Sequence, residues 1–167
     1  MQIRPALPGD IAAITAIYGH HVLHGTGTFE EEPPPAEEMA ERVAKVKSQG
    51  WPWLVAERDG RVIGYAYTAQ FRDRAAYRFA GEDSIYIHPD EMGAGVGGAL
   101  LDALMIASAD AGFLRLFAVI GDSANVGSIR LHARAGFTHA GQLDAAGFKF
   151  GRYLDVVFMQ RAIGTTP

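Results

Sequence analysis

Two stretches of the chain hold residue types whose spacing could do chemistry. In "IHPDEMGAGVGGALLDALM", residues 87–105, Gly93 to Gly98 match G-x-G-x-x-G letter for letter. Glycines let a backbone approach a phosphate closely, and a helix that follows offers unpaired N–H groups and the positive end of its dipole. Gly93, Ala94, Gly95, Val96, Gly97 and Gly98 therefore read as an anion-binding turn. In "FRDRAAY", residues 71–77, Arg72 and Arg74 flank Asp73 and alternate along what reads as an extended segment. Two such forks suit a carboxylate or another anionic oxygen, and so a compact anionic small molecule, although a pair of solvated loop arginines has the same pattern.

The elements that must carry these residues follow from periodicity. "QIRPA" alternates as a short strand. Asp10 is placed to cap a helix with apolar residues at Ile11, Ile14, Ile17 and Tyr18. "TGTFEEEPPP" is a loop, since its prolines exclude regular structure, and "AEEMAERVAKVKSQG" is a second helix ending at Gly50. "WPWLVAE" and "RVIGYAYTAQF" are β-rich runs joined by Arg58-Asp59-Gly60, a hairpin signal that makes them antiparallel. The strand "DSIYIH" leads to the glycine turn and to a helix from about Gly97 to Ala111. Then come the strand "RLFAVI", the helix "NVGSIRLHARAG", the run "FTHAGQL" and a closing strand around "LDVVFMQR". Leu100, Leu101, Leu104 and Met105 recur at helical spacing and read as core.

Composition narrows the classes. A chain of 167 residues, 49% hydrophobic and 20% charged, is expected to form one domain over 1–167, burying roughly 70% of its unfolded surface. With no cysteine, thiolate chemistry and disulfides are excluded. No run of 18 apolar residues occurs and the N-terminus lacks the pattern of a leader, so no membrane is expected and a cytoplasmic location is. A net charge of -4 is the wrong sign for a domain that depends on nucleic-acid phosphates. His20 and His24 lie one helical turn apart without a third ligand, so no metal is expected, and "FEEEPPP" reads as a solvated acidic loop.

The glycine turn is a poor dinucleotide fingerprint in this context. Such fingerprints run almost directly from an early parallel strand into the first glycine, whereas here "HPDEM" intervenes and an antiparallel hairpin precedes. Asp122, after "RLFAVI", sits about where a ribose-binding acid would, which keeps a dinucleotide enzyme as a distant alternative.

The same residues resemble the GNAT acetyltransferases, which bind acetyl-CoA. Their phosphate loop corresponds to Met92, Gly95 and Gly97, and their next motif is similar to "NVGSIRLHARAGF". Within the family, "RDRAAYRFAGEDSIYIHPD", "SIRLHARAGF" and "GFKFGRYLDVVFMQ" resemble the phosphinothricin and methionine sulfoximine (or sulfone) acetyltransferases over nearly the whole chain. The resemblance implies an α/β fold of the α+β mixed-sheet kind: a mostly antiparallel twisted sheet with helices on both faces. It also implies a likeness to homodimers acting on a small amino-acid-like substrate. Met92 replaces the usual Gln or Arg, and Ala94 a residue often basic in relatives, which implies weaker pyrophosphate binding.

Acetyl transfer by direct attack, through a tetrahedral intermediate, needs a group that takes a proton from the amine. Glu82 is the expected base, directly or through a water, and Asp83 is its rival on the other face of the strand. Ile85, Tyr86 and Ile87 are expected to hydrogen-bond the pantetheine arm, one backbone N–H steadying the oxyanion. His132 stands where relatives carry tyrosine and is expected to protonate the departing thiolate, while Asn125 and Ser128 on the same helix face the cofactor. Phe29 and Tyr77 are expected to wall a substrate pocket with Arg72, Asp73 and Arg74. The alternative within this frame is a protein or peptide acetyltransferase or an acyl-CoA-binding module.

Overall fold

The computed structural model describes residues 1–165. Its seven strands form one sheet in the order β1-β2-β3-β4-β5-β7-β6. They are β1 (Gln2–Pro5), β2 (Trp53–Arg58), β3 (Arg61–Gln70), β4 (Ala80–Ile87), β5 (Arg115–Gly121), β6 (Thr138–Lys149) and β7 (Arg152–Ala162). All neighbours pair antiparallel except β4 and β5. The helices are α1 (Ile11–His24), α2 (Ala36–Ser48), α3 (Val96–Asp110) and α4 (Val126–Arg134). The mixed sheet with helices on both faces is the architecture expected above.

Alternation along the strands divides the core in two. Trp53, Val55 and Tyr65 point to one face, where α1 supplies Ile14, Ile17 and Val22 and α2 supplies Met39, Val43 and Val46. Leu54, Ala56, Ile63 and Ala66 point to the other, against Val96, Leu100 and Leu104 of α3. Further along, Leu116, Ala118, Val157 and Met159 pack with Leu101 and Phe137. The stripe on α3 is core, as its spacing predicts. Asp59 and Gly60 both have positive φ, which matches the right-handed twist of the β2–β3 hairpin, and Phe150 with Gly151 does the same between β6 and β7.

Three expectations need correction. Asp10 makes no capping bond to α1; its carboxylate instead takes the Leu7 N–H and both arms of the Arg4 guanidinium, a stronger charge-assisted arrangement. β6 runs well beyond "FTHAGQL" to Lys149, because the Phe150–Gly151 turn lets it pair with the start of β7. Phe71–Arg74 is not an extended segment on which arginines alternate. The chain bends there, with Arg74 N–H on the Arg72 carbonyl and the Gln70 amide donating to the carbonyls of Arg72 and Arg74.

Candidate active site

The site starts where two strands part. The β4–β5 ladder pairs Ala80 to Asp83 with Arg115 to Ala118 and then stops, although β4 continues to Ile87 and β5 to Gly121. Each strand stays paired on its outer side, so the gap between them opens as a V. Hydrogen bonds bracketing the β3–β4 ladder, Phe71 N to Ala80 O and His88 N to Ile63 O, set its parity. Even-numbered residues of β4 turn their backbone groups to β3, and Asp83, Ile85 and Ile87 turn theirs into the gap. On β5, Asp122 N to Asp155 O fixes the matching parity and turns Val119 and Gly121 inward. Tyr86, expected to offer its backbone to an arm in the gap, spends it on Tyr65; Ile85 and Ile87 keep theirs there.

Around the V lies a cleft of about 810 Å³, lined by β4 from Asp83 to Ile87, by β5 from Ala118 to Gly121, by the glycine turn and by α4. Gly95 caps α3 in the left-handed region (φ 81°), and Gly93 is left-handed too (φ 78°), so glycine is required at both on backbone grounds. A side chain at Gly93, Gly95 or Gly98 would meet no protein atom, which means the turn borders open space. Met92 is exposed beside it. On the far wall, Asn125 spends its Oδ1 capping α4 at the Ser128 N–H.

The opposite face of β4 carries Glu82, one-third exposed, with the Arg72 guanidinium 3.9 Å from its carboxylate. Burial pushes the Glu82 carboxyl above its ordinary range; Arg72 pulls it back and Asp83 adds to the rise. Arg72 also lies over the Phe71 ring, while Arg74 is exposed and its side chain has no bonded partner among the described residues. Tyr77 stands edge-on to Phe71, both at this end of the sheet. Phe29 is wedged over the mouth of the V: a Cβ at Gly121 or Gly147 would fall 2.8 Å or 2.3 Å from its ring. The loop bearing it is fastened by the buried Lys149, whose Nζ donates to the carbonyls of Gly25 and Thr28.

His132 lies in the cleft wall with both ring nitrogens engaged. Nδ1 is 2.8 Å from the Ser128 carbonyl and Nε2 2.8 Å from Asp83 Oδ2. In this arrangement no ring N–H remains to meet a departing sulfur, which obstructs the role expected for it. Asp73 is exposed and, among the described residues, forms no ion pair with Glu82 or either arginine.

A family model described as an acetyltransferase (GNAT) domain matches residues 3–158. The chain belongs to the GNAT acetyltransferase family. It is 52% identical over 161 residues to a phosphinothricin N-acetyltransferase from Alcaligenes faecalis, covering 96% of this chain and 82% of that protein. It is 39% identical over 160 residues to an L-methionine sulfoximine/L-methionine sulfone acetyltransferase from Salmonella typhimurium, covering 96% and 93%. Among solved structures, a GNAT phosphinothricin acetyltransferase from Sinorhizobium meliloti in complex with acetyl-CoA superposes with a TM-score of 0.95 at 46% identity, covering 99% of this chain and 92% of that one.

A GNAT enzyme takes acetyl-CoA as its acyl donor, and the cleft fits that molecule. The open glycine turn at the N-terminus of α3 offers N–H groups to a pyrophosphate, and the inward backbone groups of Ile85 and Ile87 offer a ladder to an amide-bearing arm. From Ile87 back to Asp83 the strand rises about 13 Å, the span from the open end of the V to its closed tip. Around this cleft three residues hold partnerships that sequence reading missed. Asp83 is buried in partnership with His132; His21 Nε2 donates to the Ile87 carbonyl, burial holding the imidazole neutral; and Asp122 binds Thr26, the Ala124 N–H and Arg152 rather than a ligand. Apart from the local bond to Ala124, these partnerships have no sequence signal, because each joins residues 30 or more positions apart.

Proposed function

We propose that the chain transfers the acetyl group of acetyl-CoA to the primary amine of a small anionic amino-acid-like substrate of the phosphinothricin, methionine sulfoximine or methionine sulfone type. The observation that carries this reading is the pairing of Glu82 with Arg72 next to the closed tip of the V, with the exposed Arg74 two residues further along the same bend. The names of the relatives at 52% and 39% identity agree with it.

Bound acetyl-CoA supplies a thioester carbonyl as the electrophile. Gly93 to Gly98 hold its phosphates, Ile85 and Ile87 align its arm, and Asn125 and Ser128 border it on α4. Glu82, its carboxyl raised by burial toward neutrality, takes the amine proton directly or through a water. A β4 backbone N–H facing the gap, that of Ile85, steadies the charge that develops on the carbonyl oxygen. A thiol of this kind ionises near ~8.5, so its departure does not require a protein acid. Arg74 and Arg72 hold the substrate's anionic groups, with Tyr77 as the near wall and Phe29, over the mouth of the V, bounding the far side.

Thiol release from acetyl-CoA, followed with methionine sulfone, methionine sulfoximine and phosphinothricin against a lysine peptide, tests the assignment. Turnover of the amino-acid analogues and little with the peptide is expected; the reverse order would transfer the reading to protein acetylation. The protein is also read as a homodimer. Edge strand β6 and its hairpin expose Leu143, Phe148, Phe150 and Tyr153, a group of apolar side chains that a second copy would cover. Sedimentation at micromolar concentration should give about twice the 18.0 kDa chain mass. A monomer would remove the dimer from the proposal without touching the chemistry.

A further inference from the structure

Asp83 and His132 join two walls of the cleft at the place where β4 and β5 separate. Asp83 is the last residue of β4 in the parallel ladder, and His132 is the one buried residue of α4. Their side chains are 1% and 5% exposed and meet at 2.8 Å. Both ring nitrogens of His132 face acceptors: the Ser128 carbonyl can only accept, so Nδ1 carries a proton, and Nε2 faces a carboxylate oxygen at a distance that needs a proton between them. Imidazole, with an ordinary value of ~6.5 against ~3.9 for the carboxylate, is the stronger base and keeps that proton. The Phe137 ring closes the site edge-on, and Asp83 is the charged group that acts on His132 from the packed elements around it. Burial alone would favour the neutral ring, but the bond and charge of Asp83 with the Ser128 carbonyl outweigh it and hold His132 above its ordinary range.

We propose that Asp83 is a positioning residue that keeps His132 doubly protonated, and that this ion pair locks α4 against β4 and thereby sets the width of the acetyl-CoA cleft. Otherwise α4, nine residues long and capped by Asn125, is held by apolar contacts of Ile129 and Leu131 and by the Arg161 guanidinium, which donates to the Ala135 carbonyl at its C-terminal end. The inference rests on reading the V as the acetyl-CoA site. His132 then acts on affinity for the donor and not on the proton balance of the transfer.

The charge state and the affinity are separately measurable in the intact protein. Nitrogen-15 shifts of the His132 ring should show both nitrogens protonated at about pH 7.5, where a free imidazole is mostly neutral. Asp83→Asn, which removes the charge while keeping the shape, should leave the ring neutral at that pH. It should weaken acetyl-CoA binding by calorimetry about tenfold. In the unmodified protein, which needs no variant to fold, acetyl-CoA affinity should fall as pH rises through the titration of the His132 ring. A ring protonated only at Nδ1 at pH 7.5 overturns the proposal, as does an affinity that ignores the titration. Failure of the unmodified protein to bind acetyl-CoA at all would instead defeat the reading of the cleft.

Discussion

Replacing Glu82 by glutamine should lower kcat by something like 10²-fold or more, with acetyl-CoA affinity retained. The amide keeps the shape of the side chain but cannot accept a proton from the substrate ammonium. In the proposed reaction the donor uses the backbone groups of Ile85 and Ile87, and Glu82 turns its own backbone to β3, so the donor should not register the change. The pH profile gives a second check. Burial raises the Glu82 carboxyl above its ordinary 4.5, so activity should be lost on acidification at a higher pH than a solvated glutamate would give, as the base becomes protonated. Arg72 lowers that value, and Arg72→Ala should therefore shift the acid limb further upward. Turnover unchanged in the Glu82 variant would move the base role to a water or to another group.

Arg74→Ala should raise the KM for phosphinothricin or methionine sulfoximine far more than it alters acetyl-CoA affinity. Its guanidinium has no bonded partner within the described residues, so its removal strands nothing and the measured loss belongs to the ligand. A charge-assisted contact of this kind contributes on the order of 1.5 to 3 kcal/mol, so kcat/KM should drop roughly 10- to 100-fold. Arg74→Lys should recover part, because a point charge cannot reproduce the fork. The Arg74 and Arg72 variants should differ: only the second has a carboxylate base 3.9 Å away, so only it should displace the pH profile. Neutral amines provide the control, since they should lose little with Arg74→Ala. Equal losses for neutral and anionic amines would make the segment a structural support.

What the sequence disclosed and what it hid divide along a physical line. The glycine turn was legible because positive φ and open space demand glycine, and that demand is written in residue type at Gly93 and Gly95. The strands and helices were legible through period, and the Asp-Gly hairpin through turn chemistry. The pairing of His132 with Asp83 was not legible, since 49 positions separate them and only the completed sheet brings them to 2.8 Å. Nor was the bend at Phe71–Arg74, where a single glutamine amide captures two carbonyls and overrides the extended pattern. The length of β6 was hidden by its own composition: most of its side chains are solvent-exposed, so no burial pattern marks it.

In the proposed reaction strand β4 divides its work through the two-residue repeat of its pleat. From Asp83 to Ile87 each odd position turns its backbone into the gap, while Glu82 projects its side chain to the face opposite that of Asp83. Inserting or deleting one residue in this run would exchange the sides and turn the base toward α3. A change of side chain at Ile85 or Ile87, whose backbones face the gap, should therefore cost less than a change of length anywhere in the tract.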